Sequence, residues 1–392
     1  MCFLFKKAFK KGLKIKVMLL ISRDYVVLKP IEGQVVSKPG LPEKLQLPFV
    51  VMPKAIVLAP SVNQFNVFDV DQRNNNLEQV IIDVNQTKVL NPRFMTGFWS
   101  GYRSAVILEG DSMYRLKGVA FDPERPEIRL HDLYWDVYGG QFRKDIRFEQ
   151  KMSNRFNRVL KEEGIEPAME YLGHWNYEIK VKEQTLAASL FKVKGDTRLD
   201  EFVITCEKLR HLTAEISKQE KVKLKNFQKK VHCFFGEIGF IVGRLKRLMD
   251  KSGQTWSCKD VYGAHSGNIV LYEDGDHLRI NFVDFDSSCD KSEMSRSQLR
   301  DLQRDEYNNL LENFNSIDMN LFGARPIMEA IPQFYDQRLG QKMILKFNEG
   351  YHSRRNGYDN KIAKEQLQEI IGDLRIEGLK IQIHPKSTKY LI

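Results

Sequence analysis

Two short polar motifs in the second half of the chain carry residue types able to hold a divalent cation. His265-Ser266-Gly267-Asn268 is followed, sixteen residues after the asparagine, by Asp284-Phe285-Asp286. Asn268 opens one apolar, β-branched run and Asp284 closes another, so an amide oxygen and a carboxylate are expected at two adjacent strand ends. Such oxygen ligands suit magnesium, which keeps several waters and takes the rest of its shell from substrate phosphates. Asp284 is the sharpest of these residues, because a carboxylate between Val283 and Phe285 is costly to bury without a cation or hydrogen-bond partners. Asp286 reads either as a second metal ligand or as a loop cap. Upstream, Lys117 lies on an alternating, strand-like segment and Glu149 on a helical one. A strand lysine for phosphates and a helix glutamate to hold it complete an ordered set of catalytic parts. Each has a plainer reading. Lys117 taken alone is a solvated surface lysine, Glu149 a stripe-edge carboxylate paired with Lys151 or Arg147, and Asn268 a turn residue.

The elements that must position these residues follow from periodicity. Between 25 and 89, short β-branched runs alternate with Pro, Gly and Asn clusters, which predicts strands joined by turns. The segments 104–108 and 113–119 flank Glu109-Gly110-Asp111-Ser112 and predict a hairpin with Lys117 on its second strand. From 145 to 163, Met152, Phe156 and Leu160 recur at spacings of four and Gly164 ends the run, which predicts a helix. A strand is predicted over 187–193 and a polar helix over about 200–218. The strongest helical pattern runs from 222 to 249, with apolar residues at steps of three or four from Leu224 to Leu248. A strand over 278–283 ends at Asp284, and 294–372 is mostly helical in pattern. The order is strands first, helices second.

Composition bounds the protein class. The chain has 392 residues, long enough for two domains or one two-lobed domain. With 42% hydrophobic and 29% charged residues it reads as globular, neither disordered nor a disulfide scaffold. Its five cysteines lie far apart with no C-x-x-C, and a reducing, cytoplasmic compartment is expected. The formal net charge of +10 falls to +4 once the six lysines of residues 1–17 are set aside. Those lysines interrupt any apolar run long enough for a signal peptide or a membrane span. Three readings of 1–17 stay open: a basic tail or upstream start-site artefact with Met18 opening the chain, a helix contacting a membrane surface, and a polyanion contact.

The stretch from His265 to Asp286 resembles the H-x-G-N and I-D-F-D loops of aminoglycoside-phosphotransferase-like kinases. Tyr114-Arg115-Leu116-Lys117-Gly118, the helix ending Gly164-Ile165-Glu166-Pro167, and Ala188-Ser189-Leu190-Phe191-Lys192-Val193 with Arg198 and Phe202 are distantly similar to selenoprotein O. These similarities cover about residues 100–290. They imply a two-lobed, protein-kinase-like α+β fold, with a basic tail (1–17), a β-rich N-terminal extension (18–93), an N-lobe (94–195) and a helical C-lobe (196–392). They imply ATP and Mg2+ as cofactors, with Lys117, Glu149 and Asp284 catalytic and Asn268, Asp284 and Asp286 on the metal. Gly139, Gly140, Lys192 and Arg198 join Lys117 as nucleotide-binding residues by the selenoprotein O resemblance, whose members hold a flipped nucleotide and adenylylate protein hydroxyls.

Departures from the pattern shape the functional reading. Where such kinases place the base aspartate, five residues before the metal asparagine, this chain has Gly263; Asp260, His265 and Asp286 are the nearby stand-ins. Where selenoprotein O has an acidic neighbour to that asparagine, it has Gly267. Three functions are therefore weighed. The first is an ATP- and magnesium-dependent transferase moving an adenylyl or phosphoryl group onto a protein hydroxyl. The second is a nucleotide-binding pseudokinase acting as a regulatory module. The third, disfavoured, is a nucleic-acid-binding protein using the basic N-terminus with Trp99, Tyr102, Trp135 and Tyr138.

Overall fold

The computed structural model describes residues 25–37, 42, 45–52, 55–61, 64–71, 76–83, 88–89, 93–130, 135–199, 202–206, 218–258, 263–321, 337–353, 361–363, 365–366 and 379–383. The readings of residues 1–17 and of Asp260 lie outside the described residues. The architecture is α+β. Its described residues fall into two compact units, one from Arg23–Asn154 and Met169–Lys194, the other from Arg155–Ala168 and Gly195–His384.

Strands build the first unit. They are β1 (Tyr25–Pro30), β2 (Gln34–Ser37), β3 (Phe49–Val51), β4 (Ala55–Ser61), β5 (Gln64–Asp71), β6 (Asn76–Asp83), β7 (Lys88–Val89), β8 (Met95–Trp99), β9 (Ser104–Glu109), β10 (Ser112–Lys117), β11 (Ile128–Leu130), β12 (Trp135–Val137), β13 (Met169–Val181) and β14 (Gln184–Val193). Eight of them form one antiparallel sheet in the order β2-β13-β14-β10-β9-β8-β1-β3, so strands from the expected 18–93 extension pair directly with strands beyond it. Strands β4 to β7 form a second sheet, and β11 with β12 a ribbon. The expected hairpin is β9 and β10, with Glu109 opposite Ser112 and Gly110 at a φ of 57° in the two-residue turn.

Alternation along β10 assigns its faces. Tyr114 and Leu116 join Leu28, Val119, Trp175 and Leu190 in an apolar core, so Arg115 and Lys117 lie on the other face. That second face is also buried, Arg115 at 5% exposure and Lys117 at 1%. The cover includes α1 (Arg143–Glu162), whose residues up to Asn154 belong to this unit. The helix ends as its sequence predicts. Gly164 takes a φ of 71°, its N–H donates to Lys161 O at 3.1 Å, and Ile165 N–H reaches back to Leu160 O at 2.8 Å.

The second unit contains β15 (Thr197–Arg198), β16 (Phe202–Cys206), α2 (Lys218–Lys251), β17 (Ile269–Asp274), β18 (His277–Phe282), α3 (Arg296–Leu321), α4 (Gln337–His352), β19 (Lys361–Ala363) and β20 (Leu379–Ile383). Strands β15-β17-β18-β19 form one sheet and β16 pairs with β20. The strand at Phe202–Cys206 corrects the helix expected over 200–218. Phe, Val, Ile and Thr in succession favour a pleated backbone, and a partner more than 170 residues away supplies the ladder that a local pattern cannot reveal. The mostly helical reading of 294–372 is met by α3 and α4, and among the described residues the short β19, which pairs with β18, is the exception. No helix among the described residues is long and apolar enough to cross a membrane.

Candidate active site

In the sheet-rich unit the site is built around Lys117, the last residue of β10, opposite Ser104 on β9 and Ser189 on β14. Its Nζ donates to Glu149 Oε1 at 2.9 Å, and Glu149 is fully buried. The second carboxylate oxygen accepts from Gln141 Nε2 at 2.9 Å, and Gln141 Oε1 accepts from Ser189 Oγ at 2.9 Å. A relay of four buried side chains, from two strands, α1 and the segment just ahead of it, thus fixes the ammonium group. An ammonium in this setting has no bulk water to screen it, so loss of the carboxylate would remove a partner from a buried charge.

The other residues singled out for this unit are placed differently. Lys192 is exposed, and by alternation along β14 from Ser189 it lies on the face of the sheet opposite Lys117. Gly139 has a φ of 70°, and a Cβ there would stand 2.3 Å from Ala120 O, so backbone packing alone requires glycine. A Cβ at Gly140 would press on Val137 at 3.1 Å. Of the aromatics, Tyr102 and Tyr138 stack at 6.2 Å with the Arg129 guanidinium 3.8 Å from the Tyr138 ring, while Trp135 packs edge-on against Phe142.

In the helix-rich unit the two motifs meet at one end of the β17–β18 hairpin. Ile269 pairs with Phe282, and Val283 N–H donates to Asn268 O at 3.0 Å, so Asn268 and Asp284 flank the same strand ends. Asn268 Nδ2 donates to Gly263 O at 3.0 Å, which orients the amide, and its Oδ1 accepts no hydrogen bond among the described residues. Asp284 adopts φ 61°, ψ 74°, a left-handed conformation that costs a non-glycine residue about 1–3 kcal/mol. Arg198, ending β15, ties the two motifs together: Nη1 donates to Gly267 O at 2.9 Å and Nη2 lies 3.3 Å from Asp284 Oδ2 and 3.6 Å from Asp196 Oδ1. Arg198 is therefore an internal strut as much as a ligand candidate. Asp286 is half-buried in the turn Phe285–Ser287, and the His265 backbone bridges Gly263 O and Asn268 N–H.

Residues the sequence left unnoticed hold this loop in place. Glu306 on α3, 2% exposed, accepts from Trp256 N–H at 2.8 Å and Ser257 N–H at 2.6 Å and stands 3.1 Å from Lys246 Nζ. Burial pulls the Lys246 pKa down, but the Glu306 and Asp250 carboxylates outweigh it and leave the ammonium above its ordinary value. Asn309, one turn on, donates to Ala264 O at 2.8 Å, and Ser257 Oγ accepts from Gly263 and Ala264 N–H. A signal was available: Glu306 lies midway between Leu302 and Leu310 at steps of four, a carboxylate inside an apolar stripe.

Whether this end of the hairpin suits magnesium is tested by its donor set. Among the described residues no three His, Cys, Asp or Glu side chains gather as a metal cage. An oriented amide with an open oxygen beside a carboxylate held in a strained backbone suits a hard cation that keeps its waters and takes phosphate ligands. It does not suit zinc, which is normally held by three or four protein ligands. Gly263, five residues before Asn268, packs so that a Cβ would stand 2.1 Å from Trp256 O and 2.3 Å from Ser287 Oγ. No side chain fits there. Compared with known proteins, the chain matches no family model and no curated protein.

Proposed function

We propose that this chain is an ATP- and magnesium-dependent transferase of two-lobed, protein-kinase-like architecture, acting on a hydroxyl group of a protein. The observation that carries the reading is the Lys117–Glu149 pair, fully buried and closed at 2.9 Å with the second carboxylate oxygen also engaged. A structural ion pair gains little over apolar packing of the same volume, whereas a lysine whose position must be fixed for a phosphate needs such a partner. Lys117 would bind nucleotide phosphate. Asn268 and Asp284 would hold magnesium, with Asp286 as an adjacent carboxylate, and the ion would neutralise charge on phosphate oxygens. Arg198 would keep Asp284 in place.

The missing base bears on which group is transferred. Phosphoryl transfer through a loose transition state depends mainly on position and charge, and general-base assistance adds a factor of about 10² to 10⁴, so transfer without a base is slow rather than forbidden. Adenylylation is the transfer we favour, on the resemblance to selenoprotein O. A second reading, a pseudokinase that binds nucleotide without transfer, is favoured by the packing at Gly263, which excludes a base side chain. ATP labelled separately at the α and γ phosphates separates the outcomes. Products carrying α label support adenylylation, γ label alone overturns it in favour of phosphorylation, and binding with neither label leaves the pseudokinase.

A further inference from the structure

We propose that Cys258 and Cys289 are a dithiol pair that peroxide converts into a reversible disulfide, and that this bond clamps the loop from Gly263 to Asn268. The inference does not rest on the nucleotide reading above. The two cysteines stand far apart in sequence, and the fold makes them neighbours. Gln254 and Asp290 form an antiparallel bridge just past the end of α2. Beside it, Thr255 N–H donates to Cys289 O at 2.9 Å and Cys289 N–H donates to Thr255 Oγ1 at 3.1 Å. The Thr255 hydroxyl donates in turn to Ser257 O at 2.6 Å, which tightens the chain between the bridge and Cys258. Cys258 thus returns to Cys289, and the two thiols hydrogen-bond to each other. Both flanks are pinned. Glu306 Oε1 accepts from Trp256 and Ser257 N–H on one side, while on the other Arg155 Nη1 lies 2.7 Å from Asp290 Oδ2 and Lys291 N–H donates to Gly253 O at 2.9 Å.

Both cysteines are in the reduced form, and each is half-buried rather than enclosed, so a small oxidant can reach them. The hydrogen bond to Cys258, then burial, hold the Cys289 thiol well above its ordinary value, so Cys289 keeps its proton and Cys258 ionises first. The Cys258 thiolate attacks one oxygen of hydrogen peroxide. The O–O bond breaks, hydroxide leaves and is protonated to water, and Cys258 becomes a sulfenic acid. The Cys289 sulfur then attacks the Cys258 sulfur and gives up its proton, the S–O bond breaks, and a second water leaves. Two thiols and one peroxide thus give one disulfide and two waters, with two electrons passing from sulfur to peroxide. A thiol reductant reverses the step. The clamp follows from Ser257, whose Oγ accepts from Gly263 N–H at 2.9 Å and from Ala264 N–H at 3.1 Å. The residue next to Cys258 therefore anchors the start of the loop that ends at Asn268. A disulfide would close a covalent ring containing both Asn268 and Asp284, and such a cross-link restricts the opened states of the chain.

The test uses the full chain, reduced, treated with hydrogen peroxide, blocked with N-ethylmaleimide and read by peptide mapping without reductant. Loss of alkylation at both cysteines is expected, together with a peptide pair joined through Cys258 and Cys289 that dithiothreitol separates. Cys289→Ser should give no joined pair and leave Cys258 as a sulfenic acid that dimedone traps. Amide hydrogen exchange at Gly263 and Ala264 should slow about tenfold in the oxidised chain and recover on reduction. The proposal is overturned if both cysteines are recovered alkylated after peroxide, if they are carried to sulfinic acid without a joined pair, or if Cys258 is joined to a different cysteine. It is equally overturned if Gly263 and Ala264 exchange as fast in the joined chain as in the reduced one.

Discussion

A lysine at 1% exposure and a glutamate at 0% are stable together and costly apart. Glu149→Gln keeps the shape of the side chain but removes the carboxylate that lies 2.9 Å from the Lys117 ammonium, and a broken buried pair typically costs ~3–5 kcal/mol. Lys117→Met alone should destabilise by a similar amount for the converse reason. The double variant should recover much of either loss, because both charges are gone and the volume is kept. Urea unfolding of the four proteins gives the coupling directly. Strictly additive effects would show that the two charges do not depend on one another.

His174 supplies a pH prediction at the same scale. Its folded pKa lies below the unfolded value of about 6.5, so the unfolded chain binds the proton more readily. Its contribution is complete above about pH 6.5 and is lost as pH falls from there towards the folded pKa. His174→Gln, which keeps a polar group and removes the titration, should flatten that part of the stability curve. Unfolding measured between pH 5 and 7 on both proteins isolates the difference, and parallel curves would exclude the effect.

At the scale of elements, α2 and α4 show what glycine does where backbones meet. A Cβ at Gly243 would stand 2.1 Å from Tyr351 O, and one at Gly239 the same distance from Phe347 O. At Gly236, on the same helix, the nearest atom would be Lys346 O at an ordinary 3.5 Å. Alanine gains about 1 kcal/mol of helix propensity over glycine, whereas overpacking costs ~1–3 kcal/mol. Gly243→Ala should therefore destabilise and lower Tm, while Gly236→Ala should be neutral or raise it. Calorimetry of the pair decides it, and equal Tm changes would refute the packing account.

The same scale explains which features were legible. The Lys117 hairpin, α1 with its Gly164 stop, and α2 were written in local patterns, because turn chemistry and apolar periodicity act within one element. Glu149, three residues before Met152, shares its apolar stripe, which agrees with its burial. What could not be read was pairing at a distance: β16 with β20, or β1 to β3 joining β8 and β13 in one sheet. Gln141 and Ser189 carry no local mark of their role, since each matters only through its place in the relay to Glu149. Lys192 shows the limit of motif reading, because sharing a strand with Ser189 put it on the opposite face.

At the scale of the whole molecule, the proposed function implies that folding and ligand binding are linked. A ligand bound only by the folded state adds RT ln(1 + [L]/Kd), about 2.7 kcal/mol at a hundredfold excess over Kd. Magnesium and ATP together should raise the Tm of the native chain more than either alone, because Asn268 and Asp284 complete a magnesium shell only with phosphate oxygens present. Asp284→Ala should lose most of that increment. The variant has a second effect of its own: it keeps a non-glycine residue in the left-handed conformation and strips Arg198 of a partner at 3.3 Å. Its Tm without ligand is thus expected to change independently, and the increment, not the absolute Tm, is the quantity to compare. A native chain whose melting is unmoved by millimolar magnesium and ATP would reject the nucleotide site altogether.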